Sequence, residues 1–197
     1  MDLERRPDNR MEWMLALAAG VFAVLCRVLP YWLPGNGLWH FMPVGALALF
    51  AGSRLRTPLA LLVPLGAMLV ADLLLIAPVA RLGYSSFTWG TPVVYASFAI
   101  YFGLGWLVRA NSANPAWILL AAFAGSVQFF LVTNFASWVV NLDGRYAGDL
   151  SGLLASYRDA IPFHQNTLAS DLVFTVILFG LHAGLVLSAP KRERVPA

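Results

Sequence analysis

Phe129-Phe-Leu-Val-Thr-Asn-Phe135, Trp138 and, after a loop, Ile161-Pro-Phe-His-Gln-Asn-Thr-Leu-Ala-Ser-Asp171 set amides, hydroxyls, an imidazole and a carboxylate among residues otherwise soluble in lipid. Inside a hydrocarbon layer such groups leave donors and acceptors without partners, so they persist only where they face protein, water or a ligand. The stretch from Phe129 to Phe174 is therefore expected to form one wall of a small-molecule pocket between membrane helices, opening on the far side of the membrane.

Composition places the rest of the chain in the same solvent. Of 197 residues, 59% are hydrophobic and only 12% charged, about half the usual share in a soluble domain. Mean hydropathy is +0.71. Met11 to Val28 is too long for the apolar core of a signal peptide and reads as a first membrane helix. The single cysteine, Cys26, excludes an internal disulfide and any Cys-x-x-Cys metal or redox motif. A net charge of +3 suits basic cytoplasmic loops and gives no sign of nucleic-acid binding.

Six spans are expected, forming one all-α membrane domain over residues 11–188 between polar tails at 1–10 and 189–197. They run from Met11 to Val28, Pro43 to Ser53, Leu59 to Val79, Thr91 to Val108, Pro115 to Val140 and Pro162 to Leu187. The second is only about half a crossing at 1.5 Å of rise per residue. Either it starts nearer Trp39 or it is a short, deeply set helix. Leu150 to Tyr157 reads as a short amphipathic surface helix between the fifth and sixth spans. An even number of spans puts both termini on one side, and placing them in the cytoplasm leaves nine of the 13 basic residues inside. A multi-pass protein of the bacterial inner membrane, both termini cytoplasmic, is the expectation.

On this topology Asp72 and Asp171 lie at comparable depth in the outer half of the membrane. Asn134 and Arg27 lie near the outer ends of their spans, and His40, His164, Gln165 and Asn166 at the outer boundary. An intramembrane carboxylate needs a partner, and Arg27 is the natural one for one of the two aspartates. Trp89, Trp138 and Tyr157 add aromatic surface at the same level. These residues form the expected substrate site: Arg27, His40, Asp72, Trp89, Asn134, Trp138, Tyr157, His164, Asn166 and Asp171. The plain alternative is that the aspartates only tie neighbouring helices together. No metal-ligand spacing accompanies any histidine, no cofactor motif is present, and a lone Cys26 is more often a small hydrophobe than a ligand. Small residues at Ala16, Gly20 and Ala23 give the first helix a smooth strip suited to close packing or to docking a partner helix.

The runs His40-Phe-Met-Pro-Val-Gly-Ala-Leu-Ala-Leu-Phe-Ala-Gly52, Phe130-Leu-Val-Thr-Asn-Phe-Ala-Ser-Trp138 and Ala160-Ile-Pro-Phe-His-Gln-Asn-Thr-Leu-Ala-Ser-Asp171, with the Pro64 to Asp72 spacing and Leu178-Phe-Gly180, resemble an uncharacterised bacterial membrane-protein family. That family is similar to the substrate-binding S components of energy-coupling-factor (ECF) vitamin transporters. The resemblance implies an S-component-like bundle of six helices with a vitamin-sized pocket near the outer face, closed by the loops after the first, third and fifth helices. It also implies that Ala16, Gly20 and Ala23 dock a transmembrane coupling subunit that works with ATPases. Phe41-Met42 departs from the Asn or Thr that the family tends to place before the Pro43 motif.

Uptake of a vitamin-like solute from outside is thus the leading expectation, without enzymatic activity. No Gly-x-x-x-x-Gly-Lys-Ser/Thr sequence is present, so ATP hydrolysis would belong to a partner. One alternative is an intramembrane aspartyl hydrolase in which Asp72 and Asp171 share a proton and activate water. The other is a structural subunit with no ligand.

Overall fold

The computed structural model describes residues 9–32, 41–111, 113–141 and 144–188, and these are helical apart from connecting turns and loops. Six α-helices follow one another: α1 (Asn9–Trp32), α2 (Val44–Arg54), α3 (Leu62–Ala80), α4 (Thr91–Val108), α5 (Pro115–Val140) and α6 (Leu150–Ser188), with single 3-10 turns at Pro58–Leu61 and Arg109–Asn111. His40 lies outside the described residues, as do most of the two expected tails.

Helix boundaries follow local chemistry. Thr57 and Asn114 each stand before a proline and accept a bond from the backbone N–H two residues on, at Leu59 (3.3 Å) and Ala116 (2.9 Å). Asn141 ends α5 in the left-handed conformation (φ 34°), and its side-chain amide holds both backbone groups of Tyr146. Gly83 (φ 81°) turns the chain after α3.

The second helix is the short, deeply set one. Its 11 residues rise about 16 Å, and every residue from Val44 to Ser53 is buried. The remaining helices surround it, each packing against it. Two glycines make this possible. A Cβ on Gly52 would collide with the carbonyl oxygen of Phe102, and one on Gly105 with that of Leu49, so the backbones of α2 and α4 touch directly. Because α2 ends inside the bundle, its last carbonyls lack water. The Arg109 guanidinium at the end of α4 supplies the donors instead, with Nη2 at 2.7 Å from the oxygens of both Gly52 and Leu55.

Two ends of the bundle can be distinguished. At the lower end Glu12 of α1 meets His182 of α6 (3.2 Å), and Arg54 lies over the Phe179 ring. The chain thus enters and leaves the bundle on one side. At the upper end lie the second half of α1, the end of α3, the start of α4 and the end of α5.

The last helix departs from expectation. Leu150 to Tyr157 does not form a separate surface helix: α6 is continuous over 39 residues, about 58 Å. Ser156 reaches the backbone of Asn134 (3.4 Å), while Asp171 lies beside Ser126. Between those levels α6 runs about twice as far as α5, so its first turns cross α5 obliquely. Pro162, which has no N–H to bond to the preceding turn, sits within that segment. Ala16, Gly20 and Ala23 face inward: both alanines are buried and Gly20 sits against Leu47, Val63 and Ala67. The strip is occupied by the protein's own packing, the first of the two uses its small residues suit.

Two predictions follow from this architecture. Gly105→Ala must part α2 from α4, with an expected loss of about 1–3 kcal/mol in stability, typical of overpacking. Thermal unfolding of the purified protein in detergent checks this, with Gly103→Ala, where a Cβ meets nothing within 4 Å, as the control. At the N-terminus of α6, the Gly152 N–H (3.0 Å) and the Ser151 hydroxyl (2.7 Å) donate to Asp149 and hold its pKa below the ordinary value. A depressed carboxylate stabilises above its unfolded pKa, about 3.9, and this support is lost as pH falls through the lower folded value. Protection of the Gly152 amide from hydrogen exchange, taken relative to its intrinsic rate at each pH, is expected to fall only on acidification below that range, and Asp149→Asn to remove that change.

Candidate functional site

Asp72 sits on α3, where Asp is the only charged residue in a helix of very high hydropathy, and it is 2% exposed. Arg27, about one and a half turns before the end of α1, makes an ion pair with its Oδ1 and directs a second nitrogen to the Met42 sulfur (3.7 Å). Tyr95, in the second turn of α4, donates its hydroxyl to Oδ2 (2.8 Å). Both carboxylate oxygens therefore have a donor, from two different helices. Buried charge without such pairing would cost several kcal/mol.

This triad forms the floor of a cavity of 310 Å³ between α1, α3, α4 and α5. The residues 85–91 cross its top, and Thr133, Ala136 and Ser137 of α5 form the far wall. The lining is rich in hydroxyls. Ser85 donates to the Phe87 carbonyl (2.7 Å), Thr91 accepts from the Thr88 N–H (2.9 Å), and Thr133 donates to the Phe129 carbonyl (2.7 Å). Two buried donors are left over, Arg27 Nε and the Ser86 hydroxyl, with no protein partner. Toward the upper surface the cavity adjoins a second hollow of 420 Å³, which shares Thr88, Gly90, Ala136 and Ser137 and adds Trp89, Asn141 and Arg145.

Asn134 and His164 belong to a separate cleft of 180 Å³ between α5 and α6, bounded by Phe129, Phe130 and Phe163. Asn134 donates to the carbonyl of Phe130 on its own helix (2.7 Å), and the His164 ring lies against Phe130 (4.5 Å). Thr133 borders both this cleft and the Asp72 cavity. Tyr157 and Trp138 are braces: the Tyr157 hydroxyl donates to the Leu131 carbonyl (3.1 Å) and Trp138 Nε1 to that of Ala147 (2.8 Å). Asn166 is half-buried on α6 and lines none of these spaces.

Asp171 lies apart from these spaces. It is 2% exposed, accepts the Tyr101 hydroxyl (2.5 Å) and lines none of the cavities. Gly45 and Gly125 make room for the pair, since a Cβ at Gly45 would strike the carboxylate and one at Gly125 the Tyr101 ring. The two aspartates have different tyrosine partners. Tyr95 and Tyr101 lie about 9 Å apart along α4, and no hydrogen bond joins the two carboxylates among the described residues. Among the described residues no three His, Cys, Asp or Glu side chains gather as a metal site. Tyr95 and Tyr101 are the partners that sequence reasoning missed as such. A tyrosine inside an apolar span that also faces a buried aspartate was the available signal.

Five of the six helices are long and apolar enough to cross a bilayer, the short α2 being the exception, and together they define a multi-pass helical membrane protein. Over residues 7–193 the chain matches DUF6580, a family of unknown function, and it belongs to that family. No curated protein and no solved structure shows a significant match to the chain.

Removing one member of the ion pair leaves the other charge uncompensated. Asp72→Asn and Arg27→Gln are each expected to cost about 3 kcal/mol, the low end for a buried pair because Arg27 keeps partial access to water. The double replacement should cost less than the two single losses combined, and a double-mutant cycle on thermal stability measures that coupling.

Proposed function

We propose that this protein is a membrane-embedded receptor that captures a small organic solute in the cavity floored by Arg27, Asp72 and Tyr95, without chemical conversion. The observation that carries the reading is a hollow of 310 Å³, set among apolar helices yet lined by hydroxyls and closed below by a charge-balanced cluster. Binding sites of this kind combine an enclosed apolar frame with a few convergent polar groups. In a chain adapted to lipid, a polar hollow at the end of four helices is costly to maintain unless something polar enters it.

The upper end then faces outward and both termini lie in the cytoplasm of a bacterial inner-membrane protein. Support comes from the distribution of arginines: Arg54, Arg56 and Arg109 gather around the lower end, where positive-inside topology puts them. The residues 81–90, with Tyr84 and Trp89 exposed, cover the entrance. The resemblance to ECF S components makes a vitamin-like molecule the first solute class to try and a coupling subunit with ATPases the first partner. With Ala16, Gly20 and Ala23 turned inward, such a partner would dock on another face. A proteolytic dyad finds no support in two aspartates engaged with different tyrosines at different heights.

Native mass spectrometry of the full-length protein released from its membrane tests the reading. An adduct of small-molecule mass is expected on the wild type and absent from Ala136→Trp, which fills the cavity from the wall of α5. If the wild type carries no adduct, and a bacterial small-molecule extract fails to raise its unfolding temperature, the receptor reading falls.

A further inference from the structure

The charges around the cavity restrict what can enter it. Each ionic group on its lining is matched: Arg27 by Asp72 on the floor, and in the adjoining hollow Arg145 by Asp159 (3.2 Å). All other lining groups are hydroxyls, amides, aromatic rings and aliphatic carbons. An ion placed there would lose its hydration and meet no opposite charge left to compensate it, and a buried ion without compensation is strongly disfavoured. The uncommitted polar atoms are specific as well. Ser85 and Thr133 have already given their protons to backbone carbonyls and present only lone pairs.

From this balance we infer that the cavity selects a solute of no net charge, which brings hydroxyl or amide hydrogens to the lone pairs of Ser85 and Thr133. The inference rests on the receptor reading and adds the ligand class. The Arg27–Asp72 pair then acts as a charge filter: with both members present the site is neutral, and with one removed it acquires a sign.

Full-length protein in lipid nanodiscs, followed by tryptophan fluorescence during thermal unfolding, provides the test. The probes are polyols, nucleosides and uncharged amides on one side, and carboxylates, phosphate esters and quaternary amines on the other. Stabilisation of the wild type is expected from the first set only. Ser85→Ala, in a surface loop, should weaken those compounds about fivefold, the loss of one hydrogen bond to an uncharged group. Asp72→Asn should transfer preference to carboxylates and Arg27→Gln to amines, and if either variant fails to fold the Ser85→Ala comparison decides. Stabilisation of the wild type by ions alone, or unchanged affinity in Ser85→Ala, overturns the ligand class while leaving the receptor reading in place. A wild type that responds to neither set overturns both.

Discussion

Gly52 and Gly105 let the backbones of α2 and α4 touch, and the positions of the other helices depend on that contact. In a bilayer, helices gain nothing from hiding apolar side chains from lipid, so close backbone approach and hydrogen bonding must hold them together. A helix as short as α2 would leave its ends unsatisfied if it stood at the periphery. Placed at the centre, it has its last carbonyls capped by Arg109, and Met42, two residues before it, accepts through its carbonyl from Ser170 of α6 (3.0 Å). The five long helices can then remain nearly continuous apolar rods, each with one narrow strip turned toward α2.

The same constraint explains the upper hollow. Because α2 rises only about 16 Å from the lower end, no described helix stands between the long helices above it. Arg27, Asp72 and Tyr95 meet in that upper region, bridging α1, α3 and α4 through charge-assisted bonds where packing side chains are missing. A short central helix therefore accounts for both the tight lower half and the hollow upper half of one bundle.

Much of this was legible in the sequence, for identifiable reasons. Long apolar runs with prolines at their starts, and asparagine or glycine at their ends, placed five spans to within a few residues. The polar exceptions pointed to the Arg27 end of the bundle. Depth was harder to read. Counting residues from each span's end put Asp72 and Asp171 level, but the start of α6 was hidden: Leu150 to Ala160 is hydrophilic enough to pass for a surface element, and the oblique course through Pro162 breaks the proportion between residue number and height. The inward turn of Ala16, Gly20 and Ala23 was equally hidden, because small residues suit an internal neighbour and an external one alike.

The two aspartates show how one residue type is put to two uses by its surroundings. Asp171 is enclosed by Tyr101 and by glycines whose missing side chains admit it, so nothing from outside can reach its oxygens, and its contribution is to fasten α6 to α4 across α2. Asp72 is equally buried, and its partners differ: Arg27 and Tyr95 reach it from the edge of an open space and expose their own remaining surfaces to that space. A carboxylate satisfied entirely from within contributes order. One satisfied by groups that themselves border a cavity also orients those groups, holding Arg27 and Tyr95 in place at the edge of the hollow. On this physical ground the proposed ligand site is placed at Asp72, and the lock between α4 and α6 at Asp171.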